Sequence, residues 1–163
     1  MPPYLITEKS RTIAVDFDGT IVEHAYPEIG QEMLFAFATL RRLQERGHKL
    51  ILWSIREGAL LQAAVDYCKL NGVEFYAVNA TFPGEILEPG VSARKVNADI
   101  FIDDRNVGGF LGWSETYQML HPEDGEFSHQ LKNQLAHYNY KTSSDPKRRK
   151  RPSGPGWPKF FGR

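Results

Sequence analysis

The sequence predicts an α/β fold in which helices cover both faces of a parallel sheet. Short apolar segments rich in β-branched residues alternate along the chain with longer segments whose apolar residues recur at helical spacing. Such alternation indicates right-handed βαβ units around a parallel sheet. Two of the apolar segments also end in pairs of aspartates, at the strand ends where parallel sheets place their sites.

Four segments are predicted as strands. The first, Thr12 to Phe17, is a short buried run that meets a turn at Asp18-Gly19-Thr20. The others follow in order: Lys49 to Ser54, Val73 to Val78 and Asp99 to Asp103.

Three segments are predicted as helices. Gln31 to Arg46 has apolar residues at positions 34, 37, 40 and 43 and is followed by Gly47, which favours a helix end. Ala59 to Leu70 precedes Asn71-Gly72, and Phe127 to Tyr140 is predicted as a closing helix.

The 163 residues divide by composition into a body, residues 1–140, and a tail, residues 141–163. The tail holds eight basic residues and one acid, so it carries a formal charge of +7 and leaves −7 on the body. Because the tail is also rich in Pro and Gly, we expect it to be disordered. Its basic run, Lys147 to Arg151, favours either binding of nucleic acid or another polyanion, or contact with the acidic body.

The apolar runs exclude a membrane protein, because none approaches the ~20 residues that a membrane span requires. The first eleven residues contain three charged side chains and no cleavable apolar stretch, so we expect no secretory signal and a cytoplasmic location. The single cysteine, Cys68, lies in a predicted helix and cannot form an intramolecular disulfide, which makes redox chemistry an improbable function.

The two aspartate pairs, Asp16 with Asp18 and Asp103 with Asp104, follow two predicted strands. Four carboxylates at one edge of the sheet would repel one another, and hard oxygen ligands of this kind suit Mg²⁺. The alternative is that each aspartate caps a turn or a helix. The pairing at two strand ends favours the metal.

Read together, these segments resemble the haloacid dehalogenase superfamily, which consists mostly of Mg²⁺-dependent phosphatases and phosphotransferases. The first motif of that superfamily is Asp16-Phe17-Asp18-Gly19-Thr20 after an apolar strand. Ser54, Lys95 and the pair Asp103-Asp104 follow in the order of the later motifs. The resemblance covers roughly residues 12–106 and implies a three-layer, Rossmann-like sheet of the small capless type.

The resemblance also assigns chemical roles. It implies that Asp16 is a nucleophile that forms an aspartyl-phosphate and that Asp18 is the general acid and base. Ser54 and Lys95 would bind the phosphate, although the neighbouring Arg94 could replace Lys95. Gly19 would let the backbone turn close to the phosphoryl group.

The implied metal ligands are Asp16, the backbone carbonyl of Asp18 and the fourth-motif pair, with Asp104 favoured over Asp103 as the direct ligand. Arg56 follows Ser54 where a substrate-binding loop is expected, so we expect it to clamp a second anionic group. Arg105 is expected either to do the same or to pair with a neighbouring acid. His24 follows the first motif in a segment that forms a flap in the superfamily.

Neither gap between the motifs has room for a separate cap domain. Positions 23–48 hold one predicted helix, and positions 79–94 are only sixteen residues. An open site implies a phosphorylated macromolecule as substrate, or a second subunit that covers a small phosphorylated molecule. The rival function is a nucleic-acid or polyanion binding protein that acts through the tail, and a phosphatase of nucleic acid ends lies between the two.

Overall fold

The structure is a computed structural model that describes residues 10–143, with side chains described to residue 135. The chain divides into two compact units, Met1–Pro122 and Glu123–Arg163. This boundary lies upstream of the composition change at residue 141, because the closing helix belongs to the second unit. Residues 144–163, which make up nearly all of the predicted disordered tail, lie outside the described part.

The first unit is built on a parallel sheet of four strands: β1 Thr12–Val15, β2 Lys49–Leu52, β3 Ala77–Val78 and β4 Ile100–Ile102. Their order in the sheet is β3-β2-β1-β4. All four lie inside the predicted segments, so the α/β class with a parallel sheet is confirmed. The central strand, β1, pairs with both β2 and β4, which brings their carboxyl ends together.

Three helices belong to the same unit: α1 Ala36–Glu45, α2 Gly58–Leu70 and α3 Trp113–Leu120. Helices α1 and α2 are neighbours, because the Tyr67 ring contacts Phe37 and Arg41 Nη1 donates to the Asn71 carbonyl at 2.6 Å. Tyr67 also meets Phe17 edge to face, so α2 packs beside the segment that follows β1.

One face of the sheet packs against the segment that precedes β4. Ala14, Ile51 and Ala77 are neighbours in the strand register and form a buried cluster with Val96. Val96 belongs to the segment between β3 and β4, residues 79–99, which contains only turns and irregular backbone.

The predicted helix Gln31 to Arg46 begins five residues later than expected. Residues 31–33 instead pair with residues 21–23, through Glu23 N–H to Gln31 O and Met33 N–H to Ile21 O. Phe35 then adopts a left-handed conformation, with φ of 68°, directly before α1. The paired segments and the loop between them, residues 21–33, form a flap, and neither gap contains a cap domain.

The second unit contains α4, Gly125–Ser143, which extends the predicted closing helix in both directions. Its amino end is capped by Asp124, whose Oδ1 accepts the Phe127 N–H at 3.2 Å. In the described residues, no helix is both long enough and apolar enough to span a lipid bilayer.

Candidate active site at the carboxyl edge of the sheet

Four of the polar residues predicted to act together line one cavity at the carboxyl ends of β1, β2 and β4. Asp16 and Asp18 follow β1, Ser54 follows β2, and Asp103 follows β4. The cavity has a volume of about 390 Å³. Its lining consists of Asp16, Asp18, Trp53, Ser54, Ile55, Glu57, Arg94, Asp103 and Arg105.

Asp16, Asp103 and Asp104 form an acidic cluster in which one carboxylate oxygen of each lies within 4.8 Å of the others. Asp103 Oδ1 accepts the backbone N–H of Arg105 at 2.7 Å. Asp104 Oδ2 lies 2.6 Å from His24 Nε2 of the flap, while its Oδ1 is buried and has no hydrogen-bond partner among the described residues. The cluster thus holds a desolvated oxygen that a cation would satisfy.

The pKa of the Asp16 carboxyl is raised to about 7, first by burial and then by the negative charge of Asp103. A backbone hydrogen bond and the Thr20 hydroxyl, 3.2 Å from Asp16 Oδ2, oppose the rise. Thr20 is fully buried, and its carbonyl accepts the indole N–H of Trp113 at 2.8 Å. Trp113 at the start of α3 therefore helps to fix the residue that orients Asp16.

Gly19 fits the tight turn that the first motif requires. Its φ is 90°, and a Cβ at this position would overlap both the His24 imidazole and the Asp104 carboxylate. The Gly19 N–H donates to the Val22 carbonyl at 2.7 Å. Gly19 therefore allows the flap to approach the acidic cluster, and its own N–H is used within the turn rather than directed at a phosphoryl group.

Arg56 does not line the cavity and instead lies behind Asp18. Its side chain is fully buried, with Nε and Nη2 donating to the two Asp18 oxygens at 2.7 Å each. Nη1 and Nη2 also donate to the carbonyls of Pro27 and Glu28 in the flap, at 2.9 and 2.7 Å. The hydrogen bond to Asp18 raises the pKa of Arg56 further.

The guanidinium of Arg56 is also stacked between the rings of Phe17 and Tyr26, at 5.0 and 5.2 Å from their centroids. This differs from the sequence-based expectation of a substrate-binding arginine, because these contacts leave no open face towards a ligand. Arg56 joins the loop after β2, the Asp18 carboxylate and the flap.

Ser54 is oriented by the Asn79 side chain and by the Arg56 backbone. Its N–H donates to Asn79 Oδ1 at 2.8 Å, and its hydroxyl oxygen accepts the N–H of Arg56 at 3.2 Å. Because that oxygen is used as an acceptor, the hydroxyl hydrogen remains available for a ligand in the cavity. Asn79 was not predicted from the sequence, although a polar residue directly after a buried strand is a usable signal.

The structure places Arg94, and not Lys95, on the cavity lining. The Lys95 ammonium lies over the Phe101 ring, 4.9 Å from its centroid. The two neighbouring side chains of this irregular segment thus point in different directions, and the alternative that Arg94 takes the place of Lys95 has the geometric support.

The buried thiol of Cys68 has no part in the site. It is fully enclosed in the first unit, and burial raises its pKa to about 12. A thiol of this kind is chemically inert.

No protein-family model and no curated protein matches the chain. A solved structure does match, that of the conserved protein coded by a locus from Bacteroides thetaiotaomicron. The two sequences are 51% identical over 73% of this chain and 96% of the other, with a TM-score of 0.64. Sequence identity of this level over nearly the whole of the relative shows common membership of one family.

Proposed function

We propose that this chain, which belongs to the family of the conserved Bacteroides thetaiotaomicron protein, is a Mg²⁺-dependent phosphatase of the haloacid dehalogenase type. The observation that carries the proposal is the position of Asp16. Its carboxylate lies in one cavity with Ser54 and Arg94, and it is also a member of the acidic cluster. A nucleophile, phosphate-binding donors and oxygen ligands for a metal are thus brought together.

The residues present fit a magnesium ion. Three carboxylates offer the hard oxygen ligands that Mg²⁺ prefers. The Oδ1 of Asp104, buried and without a hydrogen-bond partner in the described part of the chain, supports Asp104 as a direct ligand. Asp16, Asp104 and the backbone carbonyl of Asp18 would hold the ion, with Asp103 contributing beside them. When bound, the ion neutralises charge on the phosphoryl oxygens and favours the ionised form of Asp16.

In the proposed reaction, a carboxylate oxygen of Asp16 attacks the phosphorus atom and the bond to the leaving oxygen breaks. Asp18 gives a proton to that oxygen, so an alcohol departs and an aspartyl-phosphate remains. Water then attacks the phosphorus and loses a proton to Asp18, which releases inorganic phosphate. Each Asp18 oxygen accepts one hydrogen bond from Arg56, so each retains a second acceptor position for this proton.

Two side chains would bind the phosphoryl oxygens. The Ser54 hydroxyl donates one hydrogen bond, and the Arg94 guanidinium donates two and supplies positive charge. Because the reacting phosphate carries two negative charges, this compensation stabilises it beside the carboxylates. Lys95, which the resemblance assigned to this role, would act only at longer range.

The site has no cap, so water has open access to it. This favours hydrolysis over phosphoryl transfer, since transfer requires that water be kept from the aspartyl-phosphate. The substrate is a phosphate monoester, either a small molecule or the end of a macromolecule, and a second subunit is the proposed cover for a small one. The proposed location is the cytoplasm.

The test is hydrolysis of 4-nitrophenyl phosphate by the full chain in the presence of Mg²⁺. We expect turnover that chelation abolishes and added Mg²⁺ restores. Asp16→Asn should abolish it, whereas Cys68→Ala, a buried change outside the cavity, should leave it intact. Full activity of the Asp16→Asn protein would contradict the assignment of the nucleophile.

A further inference from the structure

The three arginines near the acidic cluster differ in what their guanidinium groups contact. Arg56 is saturated by Asp18 and by the flap carbonyls. Arg94 and Arg105 line the cavity, and neither guanidinium makes a hydrogen bond or ion pair within the described residues. Two planar, permanently charged donor groups are therefore available to one ligand.

A single phosphate group does not account for both the Arg94 and the Arg105 guanidinium. In the proposed reaction Ser54 and Arg94 would bind the phosphoryl oxygens, and the acidic cluster would hold the metal ion. Arg105 lies on a different segment from Arg94, at the start of the loop after β4. Its backbone N–H donates to Asp103 Oδ1 at 2.7 Å. The cavity of about 390 Å³ also has room beyond the reacting group.

The other residues of the lining indicate where a second anionic group of the substrate would bind. On the side of β2, the cavity presents the largely exposed Ile55 and the carboxylate of Glu57, which would repel an anion. Arg94 would already bind the reacting phosphate, so Arg105 is the cation of the lining that would bind a second anionic group. A substrate with a second anionic group would place that group at Arg105 and its carbon skeleton along the wall of Trp53 and Ile55.

We propose that the substrate is a phosphate monoester with a second anionic group, a carboxylate or another phosphate, and that Arg105 binds that group. This inference rests on the proposed function. Arg105 is then the specificity-determining residue, while Arg94 serves the phosphate common to all substrates. The guanidinium fork matches either oxyanion with two parallel hydrogen bonds.

The test uses three compounds on one carbon chain: propyl phosphate, 3-(phosphonooxy)propanoate and propane-1,3-diyl bisphosphate. We expect kcat/KM of the full chain to be at least about tenfold higher for the two compounds with a second anion, as a charge-assisted hydrogen bond supplies. Arg105→Ala should remove this preference, lowering kcat/KM for the two-anion compounds by at least about tenfold more than for propyl phosphate. Which of the two is preferred distinguishes carboxylate from phosphate.

Two controls separate local binding from general attraction. Arg105→Lys keeps the charge without the fork and should retain part of the preference. Lys69→Ala removes a charge in the last turn of α2, about 18 Å along the helix from its cavity end, and should leave the preference intact.

Binding to the Asp16→Asn protein distinguishes failure of this inference from failure of the proposed function. Calorimetry with the same compounds and Mg²⁺ should show the two-anion preference, and an added Arg105→Ala change should remove it. If that holds while the unchanged chain hydrolyses nothing, only the phosphatase proposal fails. Equal binding of all three compounds, or an equal loss on all three with Arg105→Ala, would overturn the inference.

Discussion

Arg56 holds both carboxylate oxygens of Asp18, from Nε and Nη2, at 2.7 Å each. Asp18 lines the cavity and is 8% exposed, whereas Arg56 is 0% exposed and lies behind Asp18, outside the lining. The same guanidinium reaches the carbonyls of Pro27 and Glu28. One buried side chain thus fixes the proposed proton-transfer group and the flap together.

Replacement of Arg56 should separate stability from catalysis. Arg56→Ala leaves a buried carboxylate without its partner, and we expect the free energy of unfolding to fall by about 3–5 kcal/mol. Arg56→Lys keeps one positive charge but loses the two-point contact, so it should fold and show kcat lowered by at least about tenfold with a smaller change in KM. Urea unfolding and steady-state kinetics measure the two effects.

The double variant Arg56→Met with Asp18→Asn is the matched control. It removes both charges, so it should recover stability relative to Arg56→Ala and still lack activity. Full activity of the Arg56→Lys protein would show that the position of Asp18 does not depend on the paired hydrogen bonds.

Arg94 and Lys95 are neighbouring cations with different surroundings. Because Arg94 lines the cavity, Arg94→Ala should lower kcat/KM for 4-nitrophenyl phosphate by about a hundredfold or more, the loss typical of one charged donor in the transition state. Lys95→Ala removes only the contact with the Phe101 ring and should reduce kcat/KM by less than about threefold. The reverse order of losses would restore the assignment to Lys95.

The sequence predicted the positions of those site residues that follow directly from a local pattern of apolar residues. Asp16, Ser54 and Asp103 follow short apolar runs, and in a parallel sheet the ends of such runs meet at one edge. Their convergence on one cavity needed no knowledge of the loops. The motif itself therefore contained most of the information about the position of the acidic cluster.

The residues that the sequence misplaced depend on contacts between distant segments. Arg56 turns inward because the flap carbonyls, 28 and 29 residues away, close over it. The Lys95 ammonium lies over the Phe101 ring and not on the cavity lining. Helix α3 was not predicted, since its start follows a glycine-rich loop and Trp113 is held by a carbonyl 93 residues earlier.

Cys68 provides a test of the packing of the first unit. The thiol is 0% exposed and its pKa is raised to about 12 by burial, so it should react with a disulfide reagent only after unfolding. Cys68→Ala removes one buried sulfur and should cost about 1 kcal/mol of stability or slightly more. Rapid labelling of the native protein would contradict the burial of this helix face.

Asp16 should make the stability of the metal-free protein depend on pH. Its pKa is about 7 in the folded chain against an ordinary value of 3.8, so the folded state binds a proton more tightly than the unfolded chain does. This contribution to stability is present in full below about pH 4 and is lost as the pH rises to about 7 and beyond.

The isosteric Asp16→Asn variant isolates that contribution, because the side chain at this position cannot ionise while carboxylates outside the acidic cluster titrate alike in both proteins. In chelator, the Tm values of the two proteins should differ least below about pH 4, and above about pH 7 the Asn variant should be the more stable. Added Mg²⁺ should raise the Tm of the unchanged chain above pH 7, since it binds the folded, ionised form, and raise that of the variant much less. Parallel Tm profiles of the two proteins in chelator from pH 4 to 8 would show that Asp16 is not held in a desolvated cluster. The proposal of a cation between Asp16 and Asp104 would then lose its electrostatic basis.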